Sequence, residues 1–245
     1  MDIGKSFTFS FEDNDWFTKY LLGALISAVP ILNFAWMGYL IDLIRNVADD
    51  EPLPLPDWSD LGEKFVKGLL IWLAGMVYAL PAIILFGFPL VASVITSLSS
   101  GNDFSQVLAS VFVGVGVILA CLITLYFLAF SFFFPAVNIH YSRHGTFGSC
   151  FQLRDIFQIV SENFSNYVIA WLVTIVFGIV VGVALSFVGL VTGFIICIGW
   201  ILMWVLSAFA SVWISTVYAH LFGQVAAEAQ VSMALPADLD TLEDE

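Results

Sequence analysis

Charged residues are nearly absent from two long stretches of this sequence. Between residues 68 and 137 the only formally charged side chain is Asp103, and between residues 163 and 227 there is none. Stretches of this length with no charge to solvate are typical of chains whose solvent is the lipid bilayer. Of the 245 residues 60% are hydrophobic, so the sequence predicts an integral membrane protein with no room for a sizeable soluble domain.

Positive charge is scarce throughout the chain. Seven Lys and Arg stand against 20 Asp and Glu, which gives a net charge of −13. Nucleic acids and anionic lipid headgroups both bind clustered cations, so the composition argues against either as a partner. The acids concentrate in residues 49–63 and at the C-terminus. We expect residues 223–245 to form a solvated acidic tail.

The sequence also lacks motifs that carry chemistry. It holds no glycine-rich phosphate cradle, no serine nucleophile motif and no arrangement of two carboxylates. We therefore predict no catalytic residue and no cofactor. Functional proton and ion pathways usually need ionisable groups within the spans, and here only Asp103 interrupts the apolar runs, in a loop. This argues against a pump or an ion-coupled transporter.

Two histidines have a spacing that metal sites use. His140 and His144 stand four residues apart, which on a helix places two imidazoles on one face. Gly145 follows directly, and no carboxylate occupies the matching helical offset. We interpret the pair as interfacial polar residues just past the end of an apolar run, and we predict no metal.

Five apolar runs are present. The last four pair into two helical hairpins, residues 68–137 and 167–222, whose helices are long enough to cross a ~30 Å hydrocarbon core. The first run, in residues 20–44, is interrupted by Pro30, which cannot donate a helical hydrogen bond. It forms either a re-entrant hairpin or a fifth span, and we favour the hairpin. The predicted fold is a single all-α membrane domain over residues 1–245, with polar segments at residues 1–19, 45–67 and 138–166.

The distribution of Lys and Arg predicts the orientation. The connections at residues 45–67 and 138–166 hold Arg45, Lys64, Lys67, Arg143 and Arg154, whereas the links near residues 99–103 and 189–193 hold no cation. The positive-inside rule therefore places these two connections and the C-terminus in the cytoplasm. A re-entrant first segment would put all seven cations on that side.

Small residues recur every four positions in the last hairpin. One stripe contains Ala170, Thr174, Gly178, Gly182 and Ser186, and the other contains Ser207, Ser211, Ser215, Ala219 and Gly223. Small residues at this spacing let membrane helices approach closely, so we predict that the two stripes pack together. The alternative is a hydroxyl-lined path through Ser207, Ser211 and Ser215.

The first polar connection contains a candidate contact surface. Asp57 and Asp60 flank Trp58 in a proline-rich segment, and a tryptophan can anchor such a loop at the membrane interface. Under the proposed orientation this loop faces the same side as the third connection. We predict partner contact by Leu55, Asp57, Trp58, Asp60, Arg143 and Arg154; the alternative is that Trp58 is a membrane anchor only.

Short motifs in the first third of the chain form a family pattern. Gly38-Tyr39 closes the first apolar run, the loop reads Pro54-Leu55-Pro56-Asp57-Trp58, and Phe65 and Gly68-Leu69 follow at the next run. This pattern resembles domain of unknown function 4013, a prokaryotic membrane family. The resemblance implies a multi-pass protein in the cell membrane of a bacterium or archaeon and brings no activity with it.

The leading functional hypothesis is a non-enzymatic accessory or scaffold subunit of a membrane complex. It would act through helix packing and cytoplasmic loops, with a membrane protein or a second copy as its partner. The alternative is a permease for a small neutral or lipophilic solute, because Pro30, Pro81 and Pro89 could break helices around a site at the membrane midplane. A lipid-acting enzyme ranks third and would have to use the connection at residues 138–166.

Overall fold

The computed structural model describes residues 1–98, 103–193 and 196–234, and its regular structure there is helical. The eight α-helices in these ranges are α1 (Ile3–Thr8), α2 (Trp16–Ala28), α3 (Asn33–Ala48), α4 (Leu61–Leu98), α5 (Asp103–His144), α6 (Leu153–Glu162), α7 (Phe164–Thr192) and α8 (Ile196–Ala234). Short 3₁₀ turns lie at Phe9–Glu12 and Phe147–Phe151. Four segments are long and apolar enough to cross a membrane: Leu61–Leu85, Gly114–His144, Phe164–Thr192 and Gly199–Ala229. The predicted class, an all-α multi-pass membrane protein, is confirmed.

The first apolar run is broken as predicted. Helix α2 ends at Ala28 and α3 begins at Asn33, with Pro30 in the turn between them. The helices have 13 and 16 residues, so at ~1.5 Å per residue each is too short to cross a ~30 Å core alone. They pack closely, because the space where a Cβ of Gly23 would lie is 2.7 Å from the Trp36 ring. Entry of this hairpin into the membrane stays a prediction.

The prolines of α4 do not interrupt it. Pro81 and Pro89 both lie inside one continuous helix from Leu61 to Leu98. Proline is tolerated in membrane helices, since neighbouring groups and local adjustments satisfy the carbonyls that lose their donor. The expectation that these two residues break helices around a midplane site is therefore corrected. Among the three prolines of that argument, Pro30 alone separates two helices.

Two helices extend past their predicted ends. Helix α5 continues to His144, seven residues beyond the predicted hairpin boundary, and α8 continues to Ala234. The added turn of α5 is buried at Asn138 and Ser142, and the added turns of α8 are buried at Val225, Ala226 and Ala229. Packing explains both extensions, because these buried side chains hold the added turns against the rest of the protein. The acidic residues after position 234 lie outside the described residues.

Contacts divide the chain into two compact units. The first contains Met1–Trp72 and the chain from Pro135 onward, and the second contains Leu73–Phe134. Within the second unit, the Tyr126 hydroxyl donates a hydrogen bond to the Tyr78 carbonyl. The Phe130 ring lies 4.9 Å from that of Phe134, and a Cβ added at Gly75 of α4 would lie 3.5 Å from the Phe134 ring. The Tyr78 ring of α4 also lies 6.2 Å from that of Phe130, so aromatic packing and this hydrogen bond hold α4 and α5 together inside the second unit.

Helix α3 is the centre of the first unit. It packs against α2 and α8, and Leu43 and Ile44 are fully buried in it. The start of α4 crosses α3 where both helices carry glycine. A Cβ on Gly38 would collide with the Lys64 carbonyl oxygen, and a Cβ on Gly68 would collide with the Phe34 carbonyl oxygen. The two backbones therefore touch only because neither position has a side chain.

This crossing predicts a difference between two glycines of α4. Gly68→Ala should destabilise the protein by ~1–3 kcal/mol, because the added methyl group forces the two backbones apart. Gly62→Ala, six residues earlier on the same helix, should be neutral or slightly stabilising, because its Cβ would meet no atom within 4 Å. Thermal unfolding of both variants in the same detergent measures the difference. Equal melting temperatures for the two variants would contradict the crossing.

Candidate functional site

A buried carboxylate gathers the cations at the α3–α4 crossing. Asp42 is almost fully buried on α3. Its carboxylate lies 2.7 Å from Lys67 Nζ, 3.4 Å from Lys64 Nζ and 3.6 Å from Arg45 Nη2. Glu63 pairs with Lys67 at 2.6 Å. A buried charge requires such partners, so three of the cations that predicted the orientation also neutralise Asp42.

A second cluster of charged side chains, centred on Lys19, joins the loop at residues 49–60 to α2. Lys19 Nζ donates to Asp13 Oδ2 at 2.8 Å and to the Leu55 carbonyl at 2.9 Å, and it pairs with Asp57 Oδ1 at 3.1 Å. Burial alone would raise the pKa of Asp13, but the hydrogen bonds from Lys19 and from the Asp15 amide, together with the positive charge of Lys19, outweigh burial and lower this pKa. Burial likewise opposes the charge on Lys19, yet its bonds to Asp13 and Asp57 raise its pKa. Both groups are therefore held in their charged forms.

Trp58 lies against α3 and not on an open surface. Its indole stacks on Tyr39 with ring centroids 4.6 Å apart, and the Tyr39 ring stacks in turn on Trp36 at 5.1 Å. The indole N–H donates to the Lys19 carbonyl at 3.0 Å. These contacts close the loop over α2 and α3. Trp58 thus has a packing role that the prediction of partner contact did not include.

The other predicted contact residues differ in exposure. Leu55 is buried, whereas Asp60 is exposed and the Asp57 side chain is 79% exposed. Arg143 Nη2 donates to the Ala226 carbonyl of α8 at 2.6 Å, and Arg154 is exposed on α6. Trp58 and Arg143 therefore engage different elements of the first unit. Sequence reasoning missed Lys19 as the residue that organises the loop; its position next to Tyr20, at the start of an apolar run, was the available signal.

The two histidines belong to the last turns of α5, not to a connection beyond it. Their rings stack with centroids 4.2 Å apart. His140 Nδ1 donates to the Ser149 carbonyl at 3.1 Å, and His144 Nδ1 donates to the His140 carbonyl at 2.9 Å. Asp155 of α6 lies 3.8 Å from His140 Nε2. The sequence spacing did not predict this carboxylate, because it lies on a different helix. Across the described ranges no three His, Cys, Asp or Glu side chains are arranged to hold a metal ion.

The N-terminal segment packs against α8 around a buried histidine. His220 Nδ1 lies 2.9 Å from both Ser6 Oγ and Gln224 Nε2, and the Phe9 ring stacks on it at 4.2 Å. Beside this group is a cavity of about 600 Å³ whose lining includes Lys5, Glu12, Asp50, Glu51 and Glu228. Residues 1–19, expected only as a polar segment, therefore contribute buried structure. Hydrogen bonding satisfies both Ser6 and His220 there.

The small-residue stripes do not form the contact between α7 and α8 along their length. A Cβ on Gly178 or Gly182 would meet no atom within 4 Å, and Ser186, Ser207 and Ser211 are exposed. Thr174 and Ser215 donate to carbonyls of their own helices, as membrane serines and threonines often do. Helices α7 and α8 instead meet through pairs such as Phe177 and Trp213, whose rings are 5.0 Å apart.

The C-terminal end of the α8 stripe, at Ala219 and Gly223, contacts α3. Ala219 is fully buried, and the position of a Gly223 Cβ lies 2.5 Å from Val47 Cβ. The predicted pairing of the two stripes is therefore corrected at these positions. Small residues at four-residue spacing show that one face of a helix can be approached closely, but they do not identify the helix that packs against that face.

Comparison with known proteins places these features in a family. The sequence model described as protein of unknown function (DUF4013) matches residues 21–190, which is more than half of the chain. The chain belongs to the DUF4013 family. The DUF4013 range contains the α3–α4 crossing and the loop with Trp58, and it ends before α8 begins at Ile196.

One relative is archaeal. Uncharacterized protein MJ1189 of Methanocaldococcus jannaschii is 24% identical over 140 residues, which cover 55% of this chain and 44% of that protein. The chain thus matches less than half the length of this relative. No solved structure matches the chain.

The packing of Trp58 predicts its effect on stability in this DUF4013 protein. Trp58→Ala should destabilise the protein by ~2–4 kcal/mol, because it removes the stack on Tyr39 and the hydrogen bond to Lys19. Trp200→Ala is the matched control, since Trp200 is 75% exposed on α8 and its loss should change the melting temperature little. The comparison uses thermal unfolding in detergent. A Trp58 variant as stable as the Trp200 variant would restore Trp58 as an anchor or contact residue.

Proposed function

We propose that the protein is a non-enzymatic accessory or scaffold subunit that binds another membrane protein, or a second copy of itself, through α7. The observation that carries the proposal is the open space at Gly178 and Gly182. Together with Ser186 these residues follow one another at four-residue spacing, so they share one face of the helix. That face has no close neighbour at its glycines within the described part of the chain.

The chemistry of this face suits a helix partner. Around Gly182 the residues Ile179, Val180 and Val183 are large, apolar and exposed. Lipid tails are as apolar as these side chains, so helices associate in membranes by close packing and not by hydrophobic burial. A groove of glycines between bulky side chains lets the backbone of a second helix approach the backbone of α7 closely. The glycines cost helix stability, which a contact at this face would offset.

The loops supply the polar part of the proposed contact. Asp57, Asp60 and Arg154 are exposed, whereas Leu55 and Trp58 hold the loop in shape from inside. A partner that meets these three charges would do so on the side that carries the connections after α3 and α5. We assign this side to the cytoplasm, because those connections and the helix ends beside them hold five of the seven cations.

The assignment to the cytoplasm can be tested with two single cysteines. Ser161→Cys lies on the exposed side of α6, and Asn102→Cys lies in the link between α4 and α5, outside the described residues. An impermeant thiol reagent applied to intact cells should label Cys at position 102 and leave position 161 unlabelled until the cells are permeabilised. Labelling of position 161 on intact cells would reverse the orientation.

The proposed contact predicts a selective effect of Gly182. Gly182→Leu should reduce native copurification of the partner, or convert a self-associated form to monomer, because the larger side chain fills the groove. It should leave the melting temperature of the isolated protein nearly unchanged, since the site is open. Val183→Leu is the control, because Val183 is exposed next to it and is already large.

Two outcomes would overturn this function. An unchanged partner profile and an unchanged oligomeric state in the Gly182 variant would remove α7 as the contact surface. Flux of a small neutral solute into liposomes that contain only this protein would favour the permease instead.

A further inference from the structure

Helix α6 is joined directly to a helix of membrane-spanning length. It ends at Glu162, and α7 begins at Phe164, so Asn163 alone separates them. The segment Phe164–Thr192 is long and apolar enough to cross a membrane. On its other side, α6 follows the end of α5 at His144 after eight residues. A helix connected in this way lies at the boundary of the membrane, whichever side that boundary faces.

The side chains of α6 divide into three sectors around its axis. Ile156, Ile159 and Val160 are buried against the rest of the first unit. Leu153 and Phe157, four residues apart and adjacent to this sector, are 63% and 61% exposed. The remaining arc is polar. It contains Arg154, Asp155, Gln158, Ser161 and Glu162.

This order of sectors matches three different surroundings. Successive helix residues are rotated by ~100°, so the exposed apolar pair lies between the protein-facing sector and the polar arc. A helix in water would gain nothing from exposing Leu and Phe beside a polar arc. A helix at a membrane interface meets protein, acyl chains and water in this sequence.

The exposed apolar surface continues from α6 onto α7. Phe164, the first residue of α7, is 58% exposed, and Asn163 alone separates it from the end of α6. Leu172 and Val176, in the part of α7 nearest α6, continue the exposed apolar surface. Because α7 is apolar enough to cross a bilayer, acyl chains around its first turns would also reach Phe164 and Phe157.

We propose that α6 lies in the plane of the membrane interface and inserts Leu153, Phe157 and Phe164 into the bilayer at the boundary between headgroups and acyl chains. The partner is the lipid surface itself. Its recognition is apolar and not electrostatic, since α6 carries one arginine against two acids. Insertion should therefore occur in zwitterionic phosphatidylcholine and should not require anionic lipid.

The test uses single cysteines labelled with an environment-sensitive fluorophore. Cys121 and Cys197 are replaced in the parent protein. Cys150 is retained, because it is buried and burial raises its pKa to about 11, so its reactive thiolate is scarce. The unmodified parent, with Cys150 alone, shows the background labelling. Leu153→Cys and Phe157→Cys report on the proposed insertion, and Gln158→Cys and Ser161→Cys on the polar arc are their matched controls.

Each labelled protein is reconstituted into phosphatidylcholine vesicles. Labels at positions 153 and 157 should show blue-shifted emission, lose fluorescence to nitroxide-bearing lipid, and be protected from aqueous iodide. Labels at positions 158 and 161 should show the opposite pattern. Iodide quenching at 153 and 157 equal to that at 158 would place the helix in water. Protection of 153 and 157 from both quenchers would show that protein covers them, and either result would overturn the proposal.

Discussion

The absence of side chains at two glycines allows α3 and α4 to cross with their backbones in contact. A methyl group on Gly38 or Gly68 would occupy the place of a carbonyl oxygen of the other helix. The crossing brings Lys64 and Lys67 of α4 to Asp42 of α3. The charge network depends on the crossing, because a Lys side chain reaches a buried carboxylate only when its backbone is already close. A backbone contact thus decides where the charges of the first unit are neutralised.

The loop between α3 and α4 depends on the same contact. A segment rich in proline has few backbone donors, so it cannot hold itself in place through regular hydrogen bonds. Here the crossing fixes both ends of the loop, and Lys19 holds its middle with a charged amine and a backbone carbonyl. Trp58 can then stack on Tyr39, the residue next to Gly38. The family motifs Gly-Tyr, Pro-acidic-Trp and Gly-Leu are therefore parts of one packed structure.

The hydropathy pattern predicted the features that depend on the surrounding solvent. It could not predict the features that depend on contacts between residues far apart in the sequence. The membrane class, the long helices and the break at Pro30 follow from local sequence, as does the family from its motifs. The continuity of α4 through Pro81 does not, because a bilayer changes the cost of losing one backbone donor. The contact of Gly223 with Val47, and that of Lys19 with Trp58 39 residues away, join distant parts of the chain. Spacing within one helix contains no information about such partners.

The cations that predict orientation also stabilise the fold, and this affects how orientation can be studied. Lys64 and Lys67 neutralise Asp42, Lys19 is bonded to Asp13 and Leu55, and Arg143 donates to a carbonyl of α8. Removing one of them takes a counter-charge or a donor away from a buried partner, which destabilises a protein regardless of topology. Charge-reversal experiments would therefore change folding and orientation together. Arg154, which is exposed on α6, is the cation whose replacement best separates the two effects, because its contribution to the positive-inside bias does not depend on a buried site.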